Sequence, residues 1–319
     1  MKKATFSFQC RLTAPASFSA YKGSMLRGSL GTFLKKTCCT VRRNSCDDCM
    51  LVQHCAFPSL FIGRQTDTGS STISLPPPYC IEPSDTGKTL YDAGENFSFS
   101  LTLFSYAVNY LPYFVHAFIL AGQSGMGKST EEGRGTFTVE QILHEGHPIF
   151  NRETQKIDIT AGEELTLPVW EPHPAGEGTL LVHLKTPCRF KADNHLSTGL
   201  SFRQMFNLIV RRIRTLWALD GEKVMFDDFS AMLDRADAIK TLETCLFWKD
   251  WTRYSSRQKS SMQLGGLQGS VRYHGDLSAF LRFFALAEEL HIGKQTSFGL
   301  GQISFEWIPD EKNSDSPVR

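Results

Sequence analysis

Two segments of this chain align with each other without a gap, and this internal repeat constrains the fold more than any other feature. Residues 113–139 match residues 279–305 at a constant offset. In each segment, apolar residues at helical spacing predict a helix, glycines predict a loop, and period-two alternation predicts a strand. The positions that recur across the loop are Gly127, Lys128, Thr130, Gly133 and Gly135, matched by Gly293, Lys294, Thr296, Gly299 and Gly301.

The beginnings of the two halves correspond as well. An alternating strand is predicted at 4–12 in one half and at 178–186 in the other, each ending near a Thr-Ala-Pro or Lys-Thr-Pro sequence. A helix follows each strand, at 21–36 and at 200–219, and a further strand is predicted at 95–104. We therefore predict an α+β fold of two similar domains, 1–175 and 176–309, with a disordered tail at 310–319. Residues 63–94 are rich in Ser, Thr and Pro and are interpreted as an irregular connection.

Three glycines interrupt the first predicted helix. Gly23, Gly28 and Gly31 each lower helix propensity by roughly 1 kcal/mol relative to alanine. A helix that tolerates this loss is expected to have another part of the chain packed closely against it.

Composition narrows the class of protein. The formal charge is +1, with 41% hydrophobic and 21% charged residues, which is typical of a globular protein. A charge so near zero predicts that any polyanion is held by local basic patches. The start of the chain lacks the apolar core of a signal peptide, and the longest apolar run, 110–122, is too short to cross a bilayer. We expect a cytoplasmic protein without a membrane partner.

Five of the nine cysteines lie within residues 38–55. Cys39, Cys46, Cys49 and Cys55 give a spacing that suits four thiolate ligands, in a polar segment that cannot form a core of its own. A structural zinc ion is the favoured interpretation, because metal binding would replace missing apolar burial. An iron–sulfur cluster uses the same ligands, and unliganded thiols remain the third alternative. In the ligand set, Cys38 could replace Cys39, and His54 could replace a cysteine.

The sequence GQSGMGKS at 122–129 fits the phosphate-binding pattern of nucleotide hydrolases. That pattern requires a strand before the loop and a helix after it. Here an apolar helix is predicted before the loop and glycines follow it, so the order is inverted. We therefore expect no nucleotide cofactor.

Cations, hydroxyls and glycines recur where a polyanion could bind. Arginine binds phosphate bidentately, arginine and tyrosine stack on unpaired bases, and glycine loops expose backbone N–H groups. Solvated helix faces and ion pairs at a strand edge would produce the same residues. The candidate RNA contacts are Lys22, Arg27, Arg211, Arg214, Arg253, Tyr254, Arg257, Lys294, Ser297, Gly299 and Gly301.

Several of these motifs together resemble a known family. YKGSMLRGSLGTFLKK with the cysteine cluster, RYSSRQ with LGGLQGSVRYHGDL, and HIGKQTSFGLG near the end resemble the CRISPR-associated RAMP-superfamily endoribonucleases that process precursor CRISPR RNA. The resemblance extends from about Phe8 to Phe305. It implies tandem ferredoxin-like βαββαβ domains, related to the RRM fold, which bind repeat RNA; here the first would carry an inserted four-cysteine loop.

The resemblance also implies a reaction without a metal or cofactor in catalysis. The ribose 2′-OH attacks the adjacent phosphate and leaves a 2′,3′-cyclic phosphate. Family members often use a histidine just after the first helix, helped by a tyrosine and a lysine. Here no histidine follows that helix before His54, inside the cysteine cluster, so the predicted set is Tyr21, His54 and Lys35. His274 and His291 are alternatives.

The missing histidine leaves a second class of function open. A RAMP-fold protein without chemistry could bind CRISPR RNA as a subunit of an effector complex. A zinc-containing regulator that binds duplex DNA is the third hypothesis. The endoribonuclease is favoured because the terminal glycine-rich segment is the most specific mark of the family.

Overall fold

The structure is a computed structural model that describes residues 1–42, 45–67, 72–84, 87–130, 133–158, 162–169, 176–192, 195–196, 199–226, 228–255, 260–263 and 265–310. The chain forms two compact units. The first consists of Met1–Thr166, Thr215–Lys223 and Thr296–Gly299, and the second consists of Leu167–Arg214, Val224–Gln295 and the chain from Leu300 onward. The domain boundaries drawn from the sequence stay a prediction.

The first unit contains one βαββαβ series. Its main elements are β1 (Lys2–Leu12), α1 (Lys22–Cys38), β2 (Tyr79–Pro83), β3 (Asn96–Phe104), α2 (Leu111–Ser124) and β4 (Phe137–His144). The four strands are antiparallel and lie in the order β4-β1-β3-β2. One face of the sheet is apolar, with Phe8 of β1 opposite Phe99 of β3, and α1 and α2 pack in the same core.

The second unit repeats this arrangement. Its elements are β5 (Glu177–Cys188), α3 (Phe202–Trp217), α4 (Phe229–Ala238), β6 (Lys240–Lys249), β7 (Gly266–Asp276), α5 (Leu281–Leu290) and β8 (Ile303–Pro309). The strands are antiparallel in the order β6-β7-β5-β8. Counted within each unit, both sheets have the strand order 4-1-3-2, which is the ferredoxin-like order. The tandem α+β fold is therefore confirmed.

Shorter elements complete the described chain. A π-helical turn covers Pro58–Ile62, and 3₁₀ turns cover Ser105–Tyr110, Ala218–Asp220, Ser278–Phe280 and Thr296–Phe298. The minor strands are Ala16–Ser17, Gln65–Asp67, Thr72–Ser74, Leu90–Tyr91, Met126–Thr130, Gly133–Gly135, His147–Pro148, Phe150–Asn151, Lys156–Ile157, Glu163–Glu164, Lys191–Ala192, His195–Leu196, Thr252–Ser255 and Ser260–Gln263. No helix in the described part of the chain is both long and apolar enough to cross a membrane.

The internal repeat corresponds to equivalent parts of the two units. Each copy begins near the second main helix of a ferredoxin-like series and ends in its fourth strand. At two of the three recurring glycine pairs φ also agrees, since Gly127 and Gly293 have φ of 88° and 82°, and Gly133 and Gly299 have φ of 96° and 84°. Left-handed φ is accessible to glycine at little cost, which explains why these positions recur.

The interpretation of 63–94 as irregular was wrong where strands form, and most clearly at β2. Tyr79–Pro83 forms β2, whose residues Tyr79, Cys80 and Ile81 are completely buried in the first sheet. The strand has only five residues, with prolines directly before it and at its last position, so periodicity could not show it. It pairs with β3 as the edge strand of the main sheet order, where a terminal proline removes no ladder hydrogen bond.

The glycines of α1 follow the prediction of close packing at two positions out of three. A Cβ on Gly23 would lie 2.1 Å from the Phe298 carbonyl oxygen, and a Cβ on Gly31 would lie 2.2 Å from the ring of Phe61. At Gly28 the prediction was wrong, because a Cβ there would meet no atom within 4 Å.

Candidate functional site

The first turn of α1 is held against part of the terminal glycine-rich loop. Tyr21 is buried, and its hydroxyl donates a hydrogen bond of 2.5 Å to the Phe298 carbonyl. Gly23 lets the same carbonyl approach the helix. The hydroxyl of Tyr21 thus fixes the position of the loop. The catalytic role predicted for Tyr21 stays a prediction. In this structure the phenolic proton is donated to the Phe298 carbonyl.

Arg27 attaches the loop one turn further along α1. Its guanidinium lies 4.3 Å from the ring centroids of both Phe61 and Phe298. Its Nε donates to the buried Ser297 hydroxyl over 3.0 Å, and Nη2 donates to the Phe61 carbonyl over 3.3 Å. Two of the predicted RNA contacts therefore bind each other. The sequence reasoning missed the two aromatic rings, because they are far apart in the chain and no local pattern connects them.

Lys22 is a buried lysine whose amine makes no hydrogen bond within the described residues. The amine lies 5.8 Å from the centroid of the Tyr91 ring, which offers a weak cation–π contact. A buried charge without a partner is costly, so such an amine favours a nearby anion. The first N–H groups of a helix attract anions as well, and α1 has no side-chain cap.

The backbone N–H groups of the terminal glycine loop are already in use. The N–H of Lys294 donates to Arg189 O over 2.8 Å, that of Gly299 to Thr296 O over 2.8 Å, and that of Gly301 to Pro187 O over 3.1 Å. Phosphate binding through the N–H groups of Gly299 and Gly301 stays a prediction that these hydrogen bonds do not favour. The exposed side chain of Lys294 remains accessible to solvent.

Close backbone approach explains these two glycines without any ligand. A Cβ on Gly301 would lie 1.8 Å from the Ile292 carbonyl oxygen, and a Cβ on Gly299 would lie 2.3 Å from that of Ile81. No real Cβ makes such contacts, so only glycine fits at either position.

The far end of α1 carries the cysteines. Burial raises the pKa of the Cys46 thiol, the neighbouring Lys35 lowers it, and Cys39, Cys55 and Cys49 raise it further. The predicted ligands are thus close enough to affect one another electrostatically. However, no three sulfurs of these cysteines, all of which are described, lie within 4.8 Å of one another. The zinc site stays a prediction, because a bound metal would require the sulfurs to move closer together.

The predicted catalytic residues do not converge on one point. Tyr21 precedes α1 and Lys35 lies near its other end, so at 1.5 Å per residue the helix separates them by about 20 Å. Lys35 is half-buried, with its amine 5.9 Å from the Phe57 ring, and His54 is exposed in the turn before Cys55. Lys35 and His54 therefore share the cysteine end of the helix, and their roles stay predictions.

The arginines predicted from the second half differ in exposure. Arg211 is exposed on α3, whereas the Arg214 guanidinium stacks 4.4 Å from the Phe229 ring and burial lowers its pKa. Arg253 and Tyr254 lie in the strand Thr252–Ser255, and Arg257 lies outside the described residues. The alternative His291 is a buried residue whose Nδ1 lies 3.1 Å from Leu300 O, as expected for a core histidine.

The order of elements around GQSGMGKS is that of a ferredoxin-like unit. The helix α2 precedes the loop, and the strand Met126–Thr130 follows it. Gly127 brings the backbone against Ser17, where a Cβ would lie 2.4 Å from the Ser17 carbonyl oxygen. The glycines of this loop thus serve packing of the chain against itself.

Two family models match the sequence. Residues 1–162, just over half of the chain, match a model named AF_1859_N and described as an N-terminal domain, and residues 182–303 match the CRISPR-associated endoribonuclease Cas6. No curated protein matches the sequence in a direct search.

Solved structures of low sequence identity share the fold. A Cas6 product complex aligns with a TM-score of 0.55 at 14% identity, over 95% of this chain and 100% of that one. Thermus thermophilus Cas6 aligns with a TM-score of 0.51 at 12% identity, over 96% and 98% of the two chains. A partial Cas6-RT-Cas1–Cas2 complex aligns with a TM-score of 0.53 at 13% identity, over 96% of this chain and 46% of that one. The first half of the chain therefore belongs to the family of that N-terminal domain, and residues 182–303 match the CRISPR-associated endoribonuclease Cas6 on a fold that solved Cas6 structures share.

Proposed function

We propose that this chain cleaves the repeats of precursor CRISPR RNA by attack of a ribose 2′-OH on the adjacent phosphate. The observation that carries the proposal is the match of residues 182–303 to an endoribonuclease family within two units of 4-1-3-2 strand order. The similar product complex is consistent with RNA as the bound substrate. Such an enzyme acts on cellular transcripts, so we place it in the cytoplasm.

The reaction needs three chemical tasks to be performed. A base takes the 2′ proton, an acid protonates the leaving 5′ oxygen, and cations stabilise the charge that develops on the phosphate. The protein can provide all three without a metal. We assign the proton transfer to His54 and the charge stabilisation to Lys35, because both lie at the cysteine end of α1 and the imidazole is exposed to solvent. Tyr21 lies about 20 Å away at the other end of α1, and we propose that it positions the terminal loop.

Cations elsewhere are proposed to hold the RNA backbone. Arg211 and Lys294 are exposed, and Arg253 with Tyr254 offers a fork and a ring for phosphate and base. We expect Arg253→Ala to weaken RNA binding and to reduce the salt dependence of affinity by about one counterion. Arg152→Ala is the matched control, because the Arg152 guanidinium is paired with Glu140 on the surface.

The decisive experiment is cleavage of the cognate repeat RNA in EDTA. We expect a product with a 2′,3′-cyclic phosphate, and no cleavage when a 2′-deoxynucleotide precedes the scissile phosphate. His54→Ala should lower the single-turnover rate by at least about a hundredfold, which is the usual contribution of a positioned acid or base. His116→Ala is the control, since His116 is an exposed histidine on α2.

The outcomes separate the hypotheses. Tight binding of repeat RNA without cleavage would contradict the proposal. It would support the alternative hypothesis of a subunit that binds RNA without cleaving it, which the family match does not favour. Cleavage that survives in His54→Ala but fails in EDTA would contradict the assigned chemistry. Association with other CRISPR proteins is proposed as well, on the likeness to the Cas6-RT-Cas1–Cas2 complex. Co-purification from the native source tests it.

We also propose that Cys39, Cys46, Cys49 and Cys55 bind one structural zinc ion. Cys39, Cys55 and Cys49 are close enough to raise the pKa of the Cys46 thiol, and the segment is polar; both observations support a zinc site. Metal analysis of the purified chain should give about one zinc per chain. Cys46→Ser should lose it, whereas Cys245→Ser should retain it, because Cys245 is an exposed cysteine outside this cluster. A metal-free chain with the stability of the zinc-loaded chain would contradict this proposal.

A further inference from the structure

Three outward-facing side chains from neighbouring strands meet at one end of the sheet in the second unit. Along β5, Gly178 and Leu180 are buried, so Glu177 points to the outer face with Thr179. Thr179 lies opposite His274 of β7, which shares that face. Asp310 directly follows β8, and its N–H donates to the Glu177 carbonyl over 3.0 Å. Strand register thus fixes the backbones of Glu177, His274 and Asp310 side by side.

The polar atoms of the three side chains converge. One carboxylate oxygen from each acid and a ring nitrogen of His274 all lie within 4.8 Å of one another. In the described part of the chain, no other group of three His, Cys, Asp or Glu residues converges in this way. Ligands about 2.1 Å from a metal lie roughly 3.0–3.5 Å apart, so small rotations of exposed side chains would complete a site.

The imidazole of His274 is oriented as metal ligands are. Its Nδ1 lies 3.4 Å from the Thr179 hydroxyl, and its Nε2 lies 3.8 Å from Oδ2 of Asp310. A hydrogen bond from Nδ1–H to the hydroxyl leaves the lone pair of Nε2 facing the carboxylates, which is the arrangement that outer contacts impose on a metal-binding histidine.

Charge at this end of the sheet favours a dication. Glu177 and Asp310 together carry two negative charges, and a protonated imidazole would neutralise only one of them. The nearby carboxylate of Asp276 is occupied by Arg235 at 2.5 Å. Lys240 lies opposite His274, but the structure records no ion pair between it and these acids among the described residues.

We propose that Glu177, His274 and Asp310 bind a first-row transition dication such as Mn²⁺ or Zn²⁺, with water in the remaining coordination positions. Two carboxylates and one imidazole suit such ions better than they suit Mg²⁺, which prefers oxygen ligands alone. The site lies in the second unit and shares no residue with the cysteine cluster or with the residues proposed for cleavage.

Manganese is the appropriate probe, because thiolates select softer ions and the cysteines would compete for zinc. The full chain, dialysed free of loosely bound metal, is titrated with Mn²⁺ near neutral pH while free Mn²⁺ is measured by electron paramagnetic resonance. We expect one bound ion per chain. His274→Ala should weaken binding by at least about tenfold, within the range that loss of a metal contact produces.

His183→Ala is the matched control. His183 lies on the same face of β5, but its Nε2 is 3.9 Å from a single carboxylate, that of Glu306. Affinity for Mn²⁺ should be unchanged in this variant. If His274→Ala does not fold, Glu177→Gln tests the same site at an exposed position. Wild-type protein that does not bind Mn²⁺, or variants of His274 and Glu177 that bind as wild type does, would overturn the proposal.

Discussion

Replacing Gly23 with alanine tests whether the contact between α1 and the terminal loop is as close as the structure describes. The new Cβ would lie 2.1 Å from the Phe298 carbonyl oxygen, whereas real Cβ atoms stay at least 3.0 Å from other atoms. The carbonyl must therefore retreat, and its 2.5 Å hydrogen bond from Tyr21 cannot survive that shift.

The change in the free energy of unfolding has two destabilising contributions and one stabilising contribution. Overpacking costs about 1–3 kcal/mol and a lost hydrogen bond costs about 1 kcal/mol, while alanine gains roughly 1 kcal/mol of helix propensity over glycine. The net expectation for Gly23→Ala is a loss of about 1–3 kcal/mol in the free energy of unfolding of the first unit.

Gly28→Ala is the matched control on the same helix. A Cβ at Gly28 meets nothing within 4 Å, so alanine should stabilise the first unit by up to about 1 kcal/mol. Urea unfolding followed by circular dichroism compares the two variants. Equal shifts of the midpoint in both would refute the reasoning, because helix propensity alone would then explain both.

Three further predictions concern single side chains. Tyr21→Phe removes the donor to the Phe298 carbonyl and should lower the free energy of unfolding by about 1–3 kcal/mol while cleavage persists; a stable variant whose cleavage rate falls a hundredfold would instead make Tyr21 an acid or base. Arg27→Lys keeps the charge but loses stacking between two rings, so thermal unfolding should show nearly the loss seen in Arg27→Ala, and full stability with lysine would contradict this role. Burial raises the pKa of the Cys38 thiol to about 11 from 9.0, with Cys55 and Cys39 adding to the shift. Because only the thiolate reacts, the rate of alkylation of Cys38 by iodoacetamide in EDTA, followed by mass spectrometry, should keep rising as pH approaches about 11. In weakly alkaline solution the alkylation rate of Cys38 should be about tenfold below the rate of an ordinary thiol, after allowance for the higher intrinsic nucleophilicity of the Cys38 thiolate. A rate that reaches a plateau near pH 9 would contradict the buried environment.

The sequence predicted the architecture well, because both units depend on long periodic segments. Strand β1 and helix α3 have strong alternating or helical patterns, and the apolar residues at helical spacing along α3 are buried, namely Phe202, Phe206, Ile209, Ile213 and Leu216. Strand β2 could not be predicted, since a five-residue strand that ends in proline carries no periodic signal. Its place in the sheet is determined by pairing with β3, which is tertiary information.

The candidate site was less predictable for a related reason. Residue type indicated cations and hydroxyls, but it could not show that Arg27 and Ser297 bind each other across most of the chain length. The helix predicted at 21–36 already separated Tyr21 from Lys35, although both were assigned to one reaction. Partners distant in sequence determine whether a polar side chain is available to a ligand.

The matching dihedral angles of the two glycine loops have a consequence for ancestry. If the halves arose by duplication, their side chains have diverged freely wherever another residue could fill the same volume. Gly127 with Gly293 and Gly133 with Gly299 could not diverge in this way, because their backbone conformation admits almost no alternative. The glycines that the two halves share therefore reflect a common backbone conformation, and they are not evidence that the two halves share an activity.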